Sequence, residues 1–251
     1  MTQAMDQSSP LFVPLQLTPE QRELIRQRTG ITIAMLPFEA SVPVVRRRFA
    51  GITLRINRGV FTPSATTERL FELVIDSVAG RRRPVIVDVG TGCGAVALAL
   101  AAALPRATII ASEISEAALA CARRNRDRLG LRNVTIRGGS LLSPLPRRLR
   151  GKVSAIAANI PYVPPGLSEA VRQSFPAGTA IGPGGDGLDL VRELARSARD
   201  FLLPDGALVL QLAGFQWEPF KAELRDLGYD VPRALETPTN TPVVAAMRFP
   251  G

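Results

Sequence analysis

The sequence contains no histidine at all. Any reaction that relies on an imidazole base, and any zinc site of the usual Cys/His kind, is therefore excluded. Cysteine is scarce too, with only Cys93 and Cys121. One falls inside a glycine-rich turn and the other inside a predicted helix. Long apolar runs are also missing. The longest, Ala95 to Leu104, is stopped by Pro105, well short of the roughly 18–20 residues a membrane helix needs. The first six residues, Met1-Thr2-Gln3-Ala4-Met5-Asp6, lack the basic-then-apolar pattern of a signal peptide. A soluble cytoplasmic protein with no membrane partner is the expectation. Lysine is nearly absent: 29 of the 31 basic residues are arginine, and only Lys152 and Lys221 are lysine.

The net charge of +9 raises the question of a polyanionic partner. The arginines stand in short clusters, such as Arg46-Arg47-Arg48, Arg81-Arg82-Arg83 and Arg147-Arg148, with no aromatic residues interleaved. A solvated arginine-rich surface is the favoured reading over a nucleic-acid patch. With 251 residues, 46% of them hydrophobic, the chain can build one large α/β domain and a small appendage.

Along the chain, Thr18-Pro19 opens a short helix to about Arg28. Ile52, Leu54 and Ile56 alternate with Thr53 and Arg55 as one arm of a hairpin. Thr66 to Val78 reads as an amphipathic helix, with Leu70, Leu73, Val74 and Ser77 on one face. From Val85 onward, short apolar strands alternate with helices. The strands fall at Val85–Val87, Thr108–Ala111, Val134–Ile136, Val153–Ala158 and Ala207–Leu212, with two late ones at Val231–Leu235 and Val243–Phe249. The helices fall at Ala95–Leu104, at about Glu116–Leu129 between a Ser115 cap and Gly130, at Leu188–Phe201 and at Phe215–Leu227. This alternation predicts an α/β protein with a Rossmann-like, seven-stranded, mostly parallel sheet and helices on both faces. The division expected is a small helix-and-hairpin region at residues 1–60 and the main domain at 61–251.

Two motifs carry chemistry. Asp88-Val89-Gly90-Thr91-Gly92-Cys93-Gly94 follows a strand and opens a helix, where glycines permit positive φ and close approach to a ligand. Glu113 ends the next strand, where a carboxylate can accept ribose hydroxyls. A dinucleotide fingerprint fits Gly92, Gly94 and Ala97. An acid before three alternating glycines instead suits S-adenosylmethionine (SAM), which carries an ammonium and a sulfonium but no pyrophosphate. The second motif, Asn159-Ile160-Pro161-Tyr162, follows the fourth strand at the edge of the sheet where ligands bind. The Asn159 side-chain oxygen and the Ile160 main-chain carbonyl can each accept one N–H of a planar nitrogen group. That grip would aim its lone pair and disperse charge during methyl transfer. Tyr162 is expected as an aromatic wall against the acceptor.

Together these residues resemble the HemK/PrmC family of class I SAM-dependent methyltransferases, which methylate a glutamine side-chain amide of peptide-chain release factors. The resemblance runs over about residues 45–235. It takes in Phe49-Ala50-Gly51-Ile52, Val60 to Pro63, Thr67 to Leu70, Asp88 to Gly94, Glu113-Ile114-Ser115, Asn159 to Pro164 and Gly184 to Leu190. It implies that Phe61, Thr62, Pro63, Asp88, Gly90, Thr91, Gly92, Gly94, Glu113, Ile114, Ser140, Leu141 and Asn159 bind SAM. It implies that Asn159, Ile160, Pro161 and Tyr162 form the catalytic turn, and that no metal takes part.

The chain also departs from the family pattern. Ile160 replaces the first of two prolines, and Ser140 stands where an aspartate often meets the adenine amine. Pro63-Ser64-Ala65-Thr66-Thr67-Glu68 replaces the usual P-R-P-E-T-E stretch. Phe175-Pro176 replaces Glu-Pro, and Gln211 replaces an acid in the fifth strand. These changes cluster on the acceptor side. The main expectation is therefore SAM-dependent N-methylation of a planar polar small molecule or specialised acceptor. Release-factor-type glutamine methylation is the alternative, followed by a non-catalytic SAM-binding protein.

Overall fold

Strand β3 (Val85–Val89) is third in the seven-stranded sheet, and the chain builds first to one side of it and then to the other. The computed structural model describes residues 44–167, 181–235 and 242–248. The helix predicted near residues 18–28 and the Phe175-Pro176 pair lie outside these. From β3 the chain winds outward through β4 (Thr108–Glu113) to β5 (Val134–Gly138). It then returns to the other side of β3 as β6 (Val153–Ala158) and continues to β7 (Leu202–Ala213). β8 (Asp230–Leu235) and β9 (Pro242–Arg248) complete the order β5-β4-β3-β6-β7-β9-β8. The first five strands pair in parallel, and β9 pairs antiparallel with both β7 and β8. The sheet has the seven strands read from the sequence. β7 begins five residues earlier than expected, because residues 202–206 extend it, with a register shift against β6.

The strands bury both faces, which is why they read as continuous apolar runs. One face packs Val87, Ile110, Ile156, Leu208 and Leu210 against helices α4 (Asp189–Ala198) and α5 (Gly214–Asp226). The other packs Ile86, Ile109, Ala157 and Val209 against α1 (Ala65–Ser77), α2 (Ala95–Ala103) and α3 (Glu116–Leu129). Helix α2 is apolar all round, and its residues 95–101 are buried. A helix hydrophobic on every side must be covered on every side. Sheet, α1, α3 and hairpin enclose it.

That hairpin, β1 (Val44–Phe49) paired with β2 (Ile52–Asn57), buries Phe49, Ile52, Leu54 and Ile56 in the same core as α2. The chain divides into units of residues 1–42 and 43–251. The hairpin therefore sits in the larger unit, whereas the sequence reading grouped it with the first 60 residues. Asn125 of α3 fixes it there. Its side chain accepts from Arg55 N at 2.9 Å and donates to the carbonyls of Arg55 and Cys93, both at 3.0 Å. One buried amide thus ties the hairpin to the glycine loop. Among the described residues, no helix is long and apolar enough to cross a membrane.

Candidate active site

The sheet reverses its winding between β3 and β6, and in such sheets the crevice at that switch point is where ligands bind. Val89 pairs with Ala158. The next residues, Gly90 and Asn159, therefore leave the sheet side by side. This register brings together two motifs separated by about 65 residues of sequence.

The glycine loop holds its shape by internal bonds. Gly90, Gly92 and Gly94 have φ of +68°, +58° and +88°. Asp88 accepts from the Thr91 hydroxyl at 2.6 Å and from Ala97 N at 3.0 Å, the latter in the first turn of α2. Burial, the largest influence, pushes the Asp88 carboxyl up to about 7, against the lowering effect of these bonds. Glu113 acts as a buckle across the cleft floor. It accepts from Gly92 N at 2.9 Å, Ile114 N at 2.8 Å and Ser115 N at 2.9 Å. A carboxylate offers about four acceptor positions, so a ribose would find one free and would displace a backbone N–H to gain a second. The sequence shows the acid but not this second duty.

A cleft of about 370 Å³ opens over these residues. It is lined by Phe61 and Pro63, by Asp88, Gly90, Thr91 and Gly92, by Glu113, Ile114 and Ser115, and by Gly139, Ser140 and Leu141. Asn159, Ile160 and Pro161 close one side with Thr67 and Leu190. Most of the residues read from sequence thus meet in one place. Gly94 instead caps α2, and a Cβ there would stand 2.8 Å from Leu98 Cδ1. Thr62 does not line the cleft, and Thr67, one turn into α1, does.

Tyr162 is a correction. The sequence places it as a wall against the acceptor, but it is fully buried and absent from the cleft. Its hydroxyl accepts from Gln211 Nε2 at 3.1 Å, and burial raises it to about 12. The Gln211 substitution is thus taken up inside the core.

Two details were hidden in the sequence. Thr67 belongs to a capping box with Ser64 at the start of α1, and it also accepts from Asn159 Nδ2 at 3.4 Å. With the Asn159 nitrogen engaged there, its oxygen is the atom left to accept. Leu141 has φ of +45°, uncommon for a residue with a branched side chain. Its carbonyl is fixed by the Ser112 hydroxyl at 2.7 Å.

The charge of the lining decides between the two cofactor readings. In a chain of net charge +9, the cleft is lined by Asp88 and Glu113 but, among the described residues, by neither arginine nor lysine. A dinucleotide pyrophosphate would meet two carboxylates and no cation. SAM presents an ammonium and a sulfonium, which those acids suit. The volume lies within the ~300–1,000 Å³ of small-molecule sites. Ile114, 74% exposed at the rim, and Leu141 give apolar surface for an adenine.

Comparisons with known proteins agree. The family described as a methyltransferase domain matches residues 86–176. The release factor glutamine methyltransferase of Moorella thermoacetica is 39% identical over 188 residues, 72% of this chain and 64% of that protein. Its counterpart from Xylella fastidiosa (strain Temecula1) is 34% identical over 198 residues, covering 77% of this chain and 68% of that one. The chain therefore spans about two thirds of the length of these relatives. Among solved structures, ribosomal protein L11 methylase from Lactobacillus delbrueckii aligns with a TM-score of 0.56 at 22% identity, over 77% of this chain and 83% of that one. A SAM-dependent methyltransferase from Aquifex aeolicus aligns at 0.51 and 17%, over 74% and 94%. These two likenesses show the fold.

Proposed function

The chain belongs to the release factor glutamine methyltransferase family, of the class I SAM-dependent fold, and from that we propose that it methylates a glutamine side-chain amide of a protein acceptor, a peptide-chain release factor being the candidate. The observation that carries this reading is the state of Asn159. Its amide nitrogen is engaged by Thr67, its oxygen is left to accept, and it stands beside Gly90 at the switch point.

When bound, SAM supplies an electrophilic methyl carbon on a sulfonium. The chain's own residues must present a nitrogen to it. An amide nitrogen is a poor nucleophile because its lone pair is delocalised into the carbonyl. Two acceptors, the Asn159 oxygen and the Ile160 carbonyl, can hold its two N–H groups and favour loss of planarity. They also stabilise the positive charge that develops there. Fixed orientation adds to this, on the order of 7–11 kcal/mol in ideal cases. Among the described residues, the carboxylates lining the cleft are Asp88 and Glu113. Asp88 is committed to Thr91 and Ala97, and Glu113 to Gly92, Ile114 and Ser115. Positioning and charge dispersal, rather than a strong base, are what the residues offer.

The small-molecule acceptor favoured by the sequence reading rested on departures on the acceptor side. Two of them do not reshape that side. Gln211 is buried and bonded to Tyr162. The Ile160 side chain packs over Gly90, where a Cβ would stand 2.7 Å from its Cγ2. The names of the relatives favour the protein amide.

The test is transfer from labelled SAM to a purified release factor and, in parallel, to a metabolite extract. The proposal requires the label on one glutamine of the release factor. Label in a small molecule, with the release factor unmodified, would overturn it.

A further inference from the structure

Gln216, in the first turn of α5, reaches two loops at once. Its Nε2 donates to the Tyr162 carbonyl at 2.8 Å and to the Asp186 carbonyl at 2.7 Å, and its Oε1 accepts from Ala213 N at 3.0 Å. The residue is buried, at 4% exposure. All of its strong hydrogen-bonding positions face main chain, so the side chain holds backbone rather than ligand. It is not among the residues lining the cleft.

What it holds is the far side of the Asn159 turn. The loop at residues 181–188 lies against that turn, with Val163 and Ile181 bridged in parallel and Gly182 N donating to the Val163 carbonyl at 2.9 Å. The approach is too close for side chains. A Cβ on Gly187 would stand 2.5 Å from the Tyr162 oxygen, and one on Gly182 would stand 2.8 Å from the Pro161 oxygen. Such contact between two backbones needs an external tie, because each carbonyl it buries requires a donor. A second link runs in parallel. Arg192 of α4 bonds Asp186 and, at 2.7 Å, Glu223 of α5. Helix α5 thus braces the loop at two points, and the turn at one.

We propose that Gln216 is a positioning residue for methyl transfer: it fixes the height of the Asn159–Pro161 turn over the cleft by tying the Tyr162 and Asp186 carbonyls to α5. The role rests on the proposed amide-methylating reading for its kinetic consequence, but the tie itself is a physical claim that stands apart. Gln216→Glu is the sharpest probe. It keeps the shape and replaces the two N–H donors by an oxygen facing two carbonyls. Gln216→Ala removes shape and donors together.

The expected result in this chain has three parts. Dissociation of SAM by titration calorimetry changes less than about twofold in both variants, since the cleft floor is untouched. Turnover at saturating SAM falls on the order of 10- to 100-fold, the scale of a slight misplacement of a reacting group. Hydrogen exchange quickens in peptides covering 162–163 and 182–188, while the glycine-loop amides of 89–94 keep their protection. In Gln216→Glu, activity relative to the parent recovers as pH falls, because a protonated carboxyl regains one donor. Unchanged exchange in both segments, or a Gln216→Glu variant as active as the parent at neutral pH, would overturn the proposal. So would equal quickening throughout the domain, which marks plain destabilisation. If the parent protein itself modifies no glutamine, the amide-methylating reading fails instead, and the exchange data still decide the role of Gln216.

Discussion

Thr67 and Asn159 lie 92 residues apart in sequence, yet the threonine hydroxyl accepts the asparagine amide N–H at 3.4 Å. The threonine is fixed in turn by its capping partner Ser64, whose backbone N–H it accepts at 3.2 Å. The start of α1 therefore orients the residue on which amide transfer depends.

Asn159→Ala is expected to lower turnover at saturating SAM about 100-fold or more, the usual scale for removing one pre-aligned polar group, and to change SAM affinity far less. Thr67→Val, which loses the acceptor but keeps the volume, should show a smaller fall in the same direction. Single-turnover transfer alongside calorimetric SAM titration checks both. Equal turnover in Asn159→Ala and the parent would remove Asn159 from the reaction.

Glu113→Ala should weaken SAM by ~1–3 kcal/mol, because it removes a charged acceptor and leaves three backbone N–H groups without their partner. The variant should also melt at a lower temperature without ligand, which a purely ligand-contacting acid would not do. SAM titration and thermal melts of the free protein separate the two effects.

Asp88 predicts a pH dependence with a definite sign. Its carboxyl titrates at about 7 when folded against 3.8 in the unfolded chain. Between about pH 4 and 7 the folded protein holds the extra proton, so this group's contribution to stability declines as pH rises through that window. Asp88→Asn abolishes that decline, and its melting temperature should gain on the parent as pH increases. A constant difference across the range would contradict the assignment. The charged form favours an ammonium, so SAM should bind with proton loss below neutrality, measurable as a buffer-dependent heat.

Gly90→Ala is expected to cost about 1–3 kcal/mol, since it combines a left-handed backbone with a contact to the Ile160 side chain. Trimming Ile160 to alanine in the same molecule should recover part of the loss. Urea melts of the two single variants and the double variant test the coupling, and strict additivity would mean the two residues do not meet.

Cys93 and Cys121 are both buried. Burial pushes the Cys93 thiol up to about 12 and that of Cys121 in the same direction. Neither should react with iodoacetamide at pH 8 until denaturant is added, as mass spectrometry can show.

The sequence made the sheet and the cleft floor legible because both rest on local patterns. Strands covered on both faces appear as apolar runs, and the loop Asp88 to Gly94 announces itself by spacing. Ser115 and Gly130 bound α3 where capping chemistry puts them. The hidden parts depend on register and on bonds between distant segments. Tyr162 reads as a substrate wall in a linear motif, but the turn after β6 carries it inward to meet Gln211. Thr67 and Gln216 do not stand out in sequence, since a threonine in a helix start and a glutamine in an amphipathic helix are ordinary. The hairpin's attachment to α3 is hidden for a similar reason. The tie through Asn125 is a single side chain 70 residues from its partner.

The cleft's lining among the described residues, two acids and no arginine or lysine in an arginine-rich chain, bears on more than cofactor choice. Adenosine is the common handle of many cellular metabolites, ATP and the nicotinamide dinucleotides among them, and most of these carry phosphates. A pocket that fits the handle but surrounds it with negative potential turns them away by repulsion rather than by shape. Raising ATP to millimolar levels should therefore leave SAM binding nearly unaffected.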